Sequence, residues 1–133
     1  MALLLVLCCT PPLLLPGVAR ADDAPIATGR NSSGKVRVEI LSLKRTEGDT
    51  VTLRFALVND GRENVHLTLP NMTLLDLVNR RRFSTGVTST SCRAANGERQ
   101  ICWAMFAAPN PNVRSLNVMF FEDFDLIPVP ISD

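Results

Sequence analysis

The side chains in this sequence that could do chemistry are few and scattered. His66 is the only imidazole, a group that can act as a general base or a metal ligand. It occupies a polar alternate position in Val65-His66-Leu67-Thr68-Leu69, which reads as a solvated surface site. A Ser-His-Asp hydrolase also needs a serine on a strained turn such as G-x-S-x-G, and the chain has none. Glu122-Asp123-Phe124-Asp125 gathers carboxylates that could meet a hard cation, but the other oxygen ligands of a calcium loop are missing. A copper carrier wants His and Met close together, whereas His66, Met72, Met105 and Met119 are spread along the chain and the methionines read as core filler. These residues point away from an enzyme and imply no cofactor and no metal ligand set. A small-ligand or copper-binding protein of the periplasm stays open as the alternative function.

Two groups remain. Arg80-Arg81-Arg82 is the densest charge cluster, and guanidinium forks bind carboxylate and phosphate in a bidentate way. The three are candidate partner-binding residues for an anionic envelope polymer or an acidic protein surface, set against the plainer reading of a solvated turn. Cys92 and Cys102 are the only cysteines beyond the leader described next. An even pair in an exported chain favours a disulfide over free thiols, and a zinc site would find only His66 as a further ligand. Asn96-Gly97 marks a turn between the cysteines, and an odd-length loop centred on Gly97 would set them opposite each other. Trp103, next to Cys102, reads as a core residue packed on the disulfide or on an opposing sheet.

The elements that must position these groups begin after a leader. Ala2 to Val18 is apolar but broken by Pro11, Pro12 and Pro16, and Ala19-Arg20-Ala21 reads as a cleavage site. Residues 1–21 are thus expected to be a signal peptide rather than a membrane anchor, since a span needs about 20 uninterrupted apolar residues. Export to the periplasm or the extracellular space follows. Of 14 Lys and Arg, Arg20 leaves with the leader, and 13 Asp and Glu balance the remainder. A neutral chain has no global field for phosphate backbones, so nucleic acid is not an expected partner. The hydrophobic fraction of 46% excludes wholesale disorder. The length of 133 residues supports one domain.

Residues 22–34 show no periodicity and read as a flexible N-terminal arm. From Lys35 the apolar period is two. Lys35 to Ile40, Thr50 to Leu57 and Val65 to Leu69 alternate, which suggests a three-stranded meander, with Asn59-Asp60-Gly61-Arg62 as a turn whose glycine can take positive φ. Thr73 to Val78 is a short apolar run, Asn79 to Arg82 a polar connection, and Val87 to Ser91 a weak strand. Gln100 to Ala107 and Val113 to Phe121 are firmer strands. Phe124 to Ile131 carries Pro128 and Pro130, so it can pair only at an edge. About seven or eight short strands with no helical stripe predict an all-β fold, an antiparallel immunoglobulin-like β-sandwich over residues 35–133.

The run Leu43 to Asp60, the segment Cys102-Trp103-Ala104-Met105-Phe106-Ala107-Ala108-Pro109 and the closing Ile127-Pro128-Val129-Pro130-Ile131-Ser132 resemble a family of secreted bacterial immunoglobulin-like domains. Members occur alone or ahead of an OmpA-like peptidoglycan-binding domain. The resemblance implies a bacterial source, the sandwich fold and no assigned activity. Taken together, the sequence predicts an exported, non-enzymatic module that binds a protein or cell-envelope component.

Overall fold

The computed structural model describes residues 24–120 and 123–133. The expected signal peptide, with Cys8 and Cys9, lies outside the described residues, as do Phe121 and Glu122. Among the described residues the fold is all-β, with ten strands and one 3-10 turn at Leu69–Asn71. The strands are β1 (Ala27–Arg30), β2 (Val36–Thr46), β3 (Thr50–Asn59), β4 (Val65–Leu67), β5 (Thr73–Asp76), β6 (Arg81–Thr88), β7 (Cys92–Ala94), β8 (Arg99–Ala107), β9 (Ser115–Met119) and β10 (Ile127–Pro130). Every strand ladder is antiparallel. Eight strands form one sheet in the order β1-β2-β3-β8-β6-β5-β9-β10, and β4 and β7 form a small second sheet.

β2 and β3 form because their apolar residues recur every second position, which loads one face of a pleated strand. The turn between them, Glu47-Gly48-Asp49, places Gly48 and Asp49 at φ 78° and 55°, a region open to glycine and tolerated by Asp. β2 runs well past Ile40, where the alternation breaks. Ile40 pairs with Phe55 and Ser42 with Arg54, leaving Leu41 as an unpaired bulge residue. The inserted residue moves the inward phase from Val38 and Ile40 to Leu43, all fully buried.

The eight-stranded sheet curls until its two edge strands meet. Asn31 bridges Phe124, and Lys44 bridges Ser132 in the only parallel contact among the described residues. That seam is closed by Ser132 N–H donating to Leu43 O at 2.8 Å and Arg45 N–H donating to Ser132 O at 2.9 Å. Gly29 faces Ile127 so closely that a Cβ would collide with the Ile127 side chain. The result is a nearly closed, barrel-like sheet around a single core. Phe55 of β3 and Phe120 beyond β9 meet inside it edge to face, with ring centroids 4.9 Å apart. Leu116, Val118, Ile127 and Val129 fill it from the β9–β10 side.

Several expectations change. Residues 22–34 are not wholly an arm, because Ala27–Arg30 pairs with Arg37 to Ile40 of β2; ladder bonds and small residues hold β1, so no apolar period announces it. The meander stops at two strands. β4 pairs with β7, while β8 takes the other edge of β3 over a register from Thr50↔Ala107 to Val58↔Arg99. The longer apolar ladder wins that edge, since each inward pair it buries adds stabilisation that a three-residue strand cannot match. Gly61 does not take positive φ; Gly34, Gly48 and Gly97 do. The expected weak strand at Val87 begins earlier, at Arg81. β6 pairs with β5 over Arg81 to Ser84 and then with β8 at Thr85 and Thr88, with an irregularity between. As expected, β10 sits at the end of the strand order with both prolines on it.

Candidate functional site

Arg80, Arg81 and Arg82 lie where β5 turns into β6. Asp76 closes β5 opposite Arg81, and Leu75 pairs with Arg82. Between them Leu77, Val78, Asn79 and Arg80 form the turn. Asp76 builds it from within: its Oδ1 accepts from the Val78 and Asn79 N–H groups at 3.1 Å each, and its Oδ2 accepts from Asn79 Nδ2 at 2.7 Å. An aspartate bonded to backbone two and three residues on is the usual Asx device for fixing a turn. The Asn79 side-chain bond first, then the Asn79 N–H, the Val78 N–H and nearby Arg81, hold the Asp76 carboxyl below its ordinary value of 3.8, against the opposing effect of burial. Arg80 takes φ 54° to complete the turn.

All three arginines are exposed. Four other arginines are engaged. Arg37 and Arg30 reach Asp60 at 2.9 and 3.7 Å, Arg99 reaches Glu39 at 3.0 Å, and Arg45 donates to the carbonyls of Pro109, Asn110 and Val113 at 2.9 to 3.0 Å. Among the described residues no ion pair engages Arg80, Arg81 or Arg82. Arg81 faces a groove of about 350 Å³ beside the hairpin, lined also by Asp76, Asn79, Phe83, Pro109, Asn110 and Asn112. Leu77 and Val78, the end of the short apolar run read from sequence, stand in the turn, 58% and 91% exposed. The signal available was their position between a strand and three charges.

Cys92 and Cys102 are joined, with Cα atoms 5.7 Å apart and both residues fully buried. The pair is not opposite in a hairpin, as the odd-loop reading had it. Cys92 lies on β7 opposite Leu67 of β4, whereas Cys102 lies on β8 opposite Phe55. The bond therefore ties the small sheet to the large one. Gly97, at φ 73°, does make the expected turn between them. Trp103 is only partly buried and lies on the outer face opposite Arg54, because neighbours on a strand point to opposite faces and Cys102 holds the inner one.

A polar hub missed from sequence stands where the end of β3 meets the end of β7. Asn59 is completely buried. Its Nδ2 donates to Glu63 O at 2.6 Å and Ala94 O at 3.0 Å, and its Oδ1 accepts from Gly61 N at 2.9 Å. The side chain thus secures the loop after β3 and the end of β7 together, with every polar atom satisfied.

His66 is exposed on β4, as expected, and pairs with Arg93. Met72 is buried, while Met105 and Met119 are partly exposed on β8 and β9. Among the described residues no three His, Cys, Asp or Glu side chains converge on one point. No helix among them is long and apolar enough to cross a membrane. In comparisons with known proteins, no family model, curated protein or solved structure matches the chain.

Proposed function

We propose that the protein is an exported, non-enzymatic binding module of the cell envelope or extracellular space, with Arg80, Arg81 and Arg82 as its contact point. The observation that carries this reading is the cluster itself: three adjacent exposed guanidinium groups with no ion pair among the described residues, on a turn already set by Asp76. A turn whose backbone is fixed before binding loses less conformational freedom when a partner arrives. Export is supported by the buried disulfide, a bond that persists in oxidising compartments, together with the leader expected from residues 1–21. The finer fold assignment is an immunoglobulin-like sandwich, akin to the secreted bacterial domains that the sequence resembles. It is supported by β6, which pairs with β5 through its first half and β8 through its second, as a strand that changes sheets does. The facing Phe55 and Phe120 rings and the bond from β7 to β8 fit the same reading.

The test is retention of the protein on envelope fractions at low salt. Replacing the three arginines together by serine is expected to abolish most of it with an unchanged melting temperature, because exposed charges contribute little to stability. Added salt should weaken binding of the parent. Full retention by the triple variant removes the cluster as the contact point.

A further inference from the structure

The geometry points to the β5–β6 hairpin tip as an anchor for anionic lipid bilayer surfaces, with Leu77 and Val78 entering the interface while Arg80, Arg81 and Arg82 hold lipid phosphates. This rests on the binding-module reading above and names its partner. The argument is one of order in depth. Val78 is 91% exposed, the most exposed large apolar side chain of the described residues, and Leu77 beside it is 58% exposed. A convex turn presents both, outside any apolar cluster that would cover them. Behind Val78 come Leu77 and Arg80, level with each other as the first residues beyond the Asp76–Arg81 pair, then Arg81, and Arg82 one pairing row further down.

A bilayer surface has the same sequence of layers, with phosphates outermost and apolar matter below them. With Val78 leading the charges by one to three strand residues, at about 3.4 Å each, the tip fits the ~5–10 Å depth at which amphipathic segments seat. An acidic protein surface would complement the arginines but would leave Val78 exposed unless it also offered an apolar pocket. The Asp76 hydrogen bonds keep the turn in shape before contact. The acidic turn Glu47-Gly48-Asp49 belongs to the β2–β3 hairpin, with β8 between the two hairpins in the strand order. The groove at Arg81 has Asn110 and Asn112 on its wall, whose side-chain amides can donate to a headgroup, while the Asp76 carboxylate in the same wall is occupied by Asn79 and the Val78 N–H.

Residues 22–133 contain every strand described, so they suit the experiment without the apolar leader. The protein is sedimented with phosphatidylcholine vesicles, with and without phosphatidylglycerol. Binding is expected only with the anionic lipid. Basic residues near such a surface each contribute about fivefold to partitioning, so Arg80→Ser, Arg81→Ser and Arg82→Ser combined should lower it on the order of 100-fold. Leu77→Ser with Val78→Ser should lower it about tenfold. Both sets lie on an exposed turn, and unchanged melting curves will show that the fold is intact. In a Trp103→Phe background, Val78→Trp should shift its emission to the blue on anionic vesicles alone.

Loss of binding in the arginine variant with none in the Leu77 and Val78 variant, together with release by glycerophosphoglycerol, would indicate headgroup capture without insertion and overturn the anchor. Absence of vesicle binding while retention on envelope fractions still requires the arginines would overturn the lipid partner and leave the binding module standing. If retention is also independent of the arginines, both readings fall.

Discussion

Replacing Asn59 by alanine tests whether the fold depends on a polar hub at the junction of its two sheets. The side chain is completely buried and makes three hydrogen bonds, to Glu63 O, Ala94 O and the Gly61 N–H. Alanine removes all three at once. Each is worth about 1 kcal/mol net, and the groups left behind lose solvation without a new partner, so the loss should reach about 3 kcal/mol. For a domain of this size that corresponds to a fall in Tm of roughly 12 °C or more. Urea unfolding monitored through Trp103 gives the free energy, and circular dichroism gives Tm. Asn59→Asp is the informative companion. It keeps an acceptor for Gly61 but turns a charged oxygen toward two carbonyls, so near neutral pH it should be at least as damaging as alanine. Burial and the facing carbonyls would raise its folded pKa above the unfolded value, so the variant should recover stability as pH falls through that raised value, when the acid gains a proton to donate. If Asn59→Ala lies within about 0.5 kcal/mol of the parent, the hub does not hold the junction and the reasoning fails.

Three further outcomes are expected. Changing Cys92 and Cys102 together to serine opens a loop of sequence separation 10 and should cost about 2.7 kcal/mol on the chain-entropy estimate; thiol labelling of the unfolded, unreduced parent should find neither cysteine free. Because the folded Asp76 carboxyl titrates below its ordinary 3.8, its contribution is complete above that value and disappears as pH falls through the lower folded one; Asp76→Asn should therefore differ most from the parent near neutrality and converge with it in acid, as read by melting curves across that range. Gly29→Ala puts a methyl group into the Ile127 side chain at the seam and should destabilise the protein by about 1–3 kcal/mol, whereas Gly34→Ala, in open space, should show only the strain of its positive φ.

How much was legible depended on where the stabilisation comes from. β2, β3 and β8 draw theirs from alternating inward side chains, and period two announces that directly. β6 does not: Arg81 to Thr88 is mostly exposed, with only Phe83 packed on the core, so backbone pairing rather than burial makes it a strand. The same holds for β1. Leu41 hides the continuation of β2 because a bulge residue breaks the period at the point where the strand keeps going. The disulfide was readable as a pairing of types but not as a junction, since partner choice for Cys92 depends on β4, a strand 25 residues earlier at Leu67. Trp103 departs from the core position its type suggests because, once Cys102 faces inward, strand geometry sends its neighbour out. At the candidate site the arginines were evident by composition, whereas the exposure of Leu77 and Val78 depends on the turn that Asp76 builds, a tertiary fact.

The pairing of Leu43 and Arg45 with Ser132 bears on the timing of folding. Leu43 and Ser132 are 89 positions apart, and β3 has no partner on its far edge until β8, with Cys102 opposite Phe55, has emerged. During synthesis at about 5–20 residues per second, that edge and its inward Val51, Leu53 and Phe55 stay uncovered for roughly 2 to 10 s. Topologies dominated by such distant pairings also fold slowly once complete, in milliseconds to seconds. The seam can close only once Ser132 has emerged, so a chain halted before it would offer both margins of its large sheet to neighbouring chains at once.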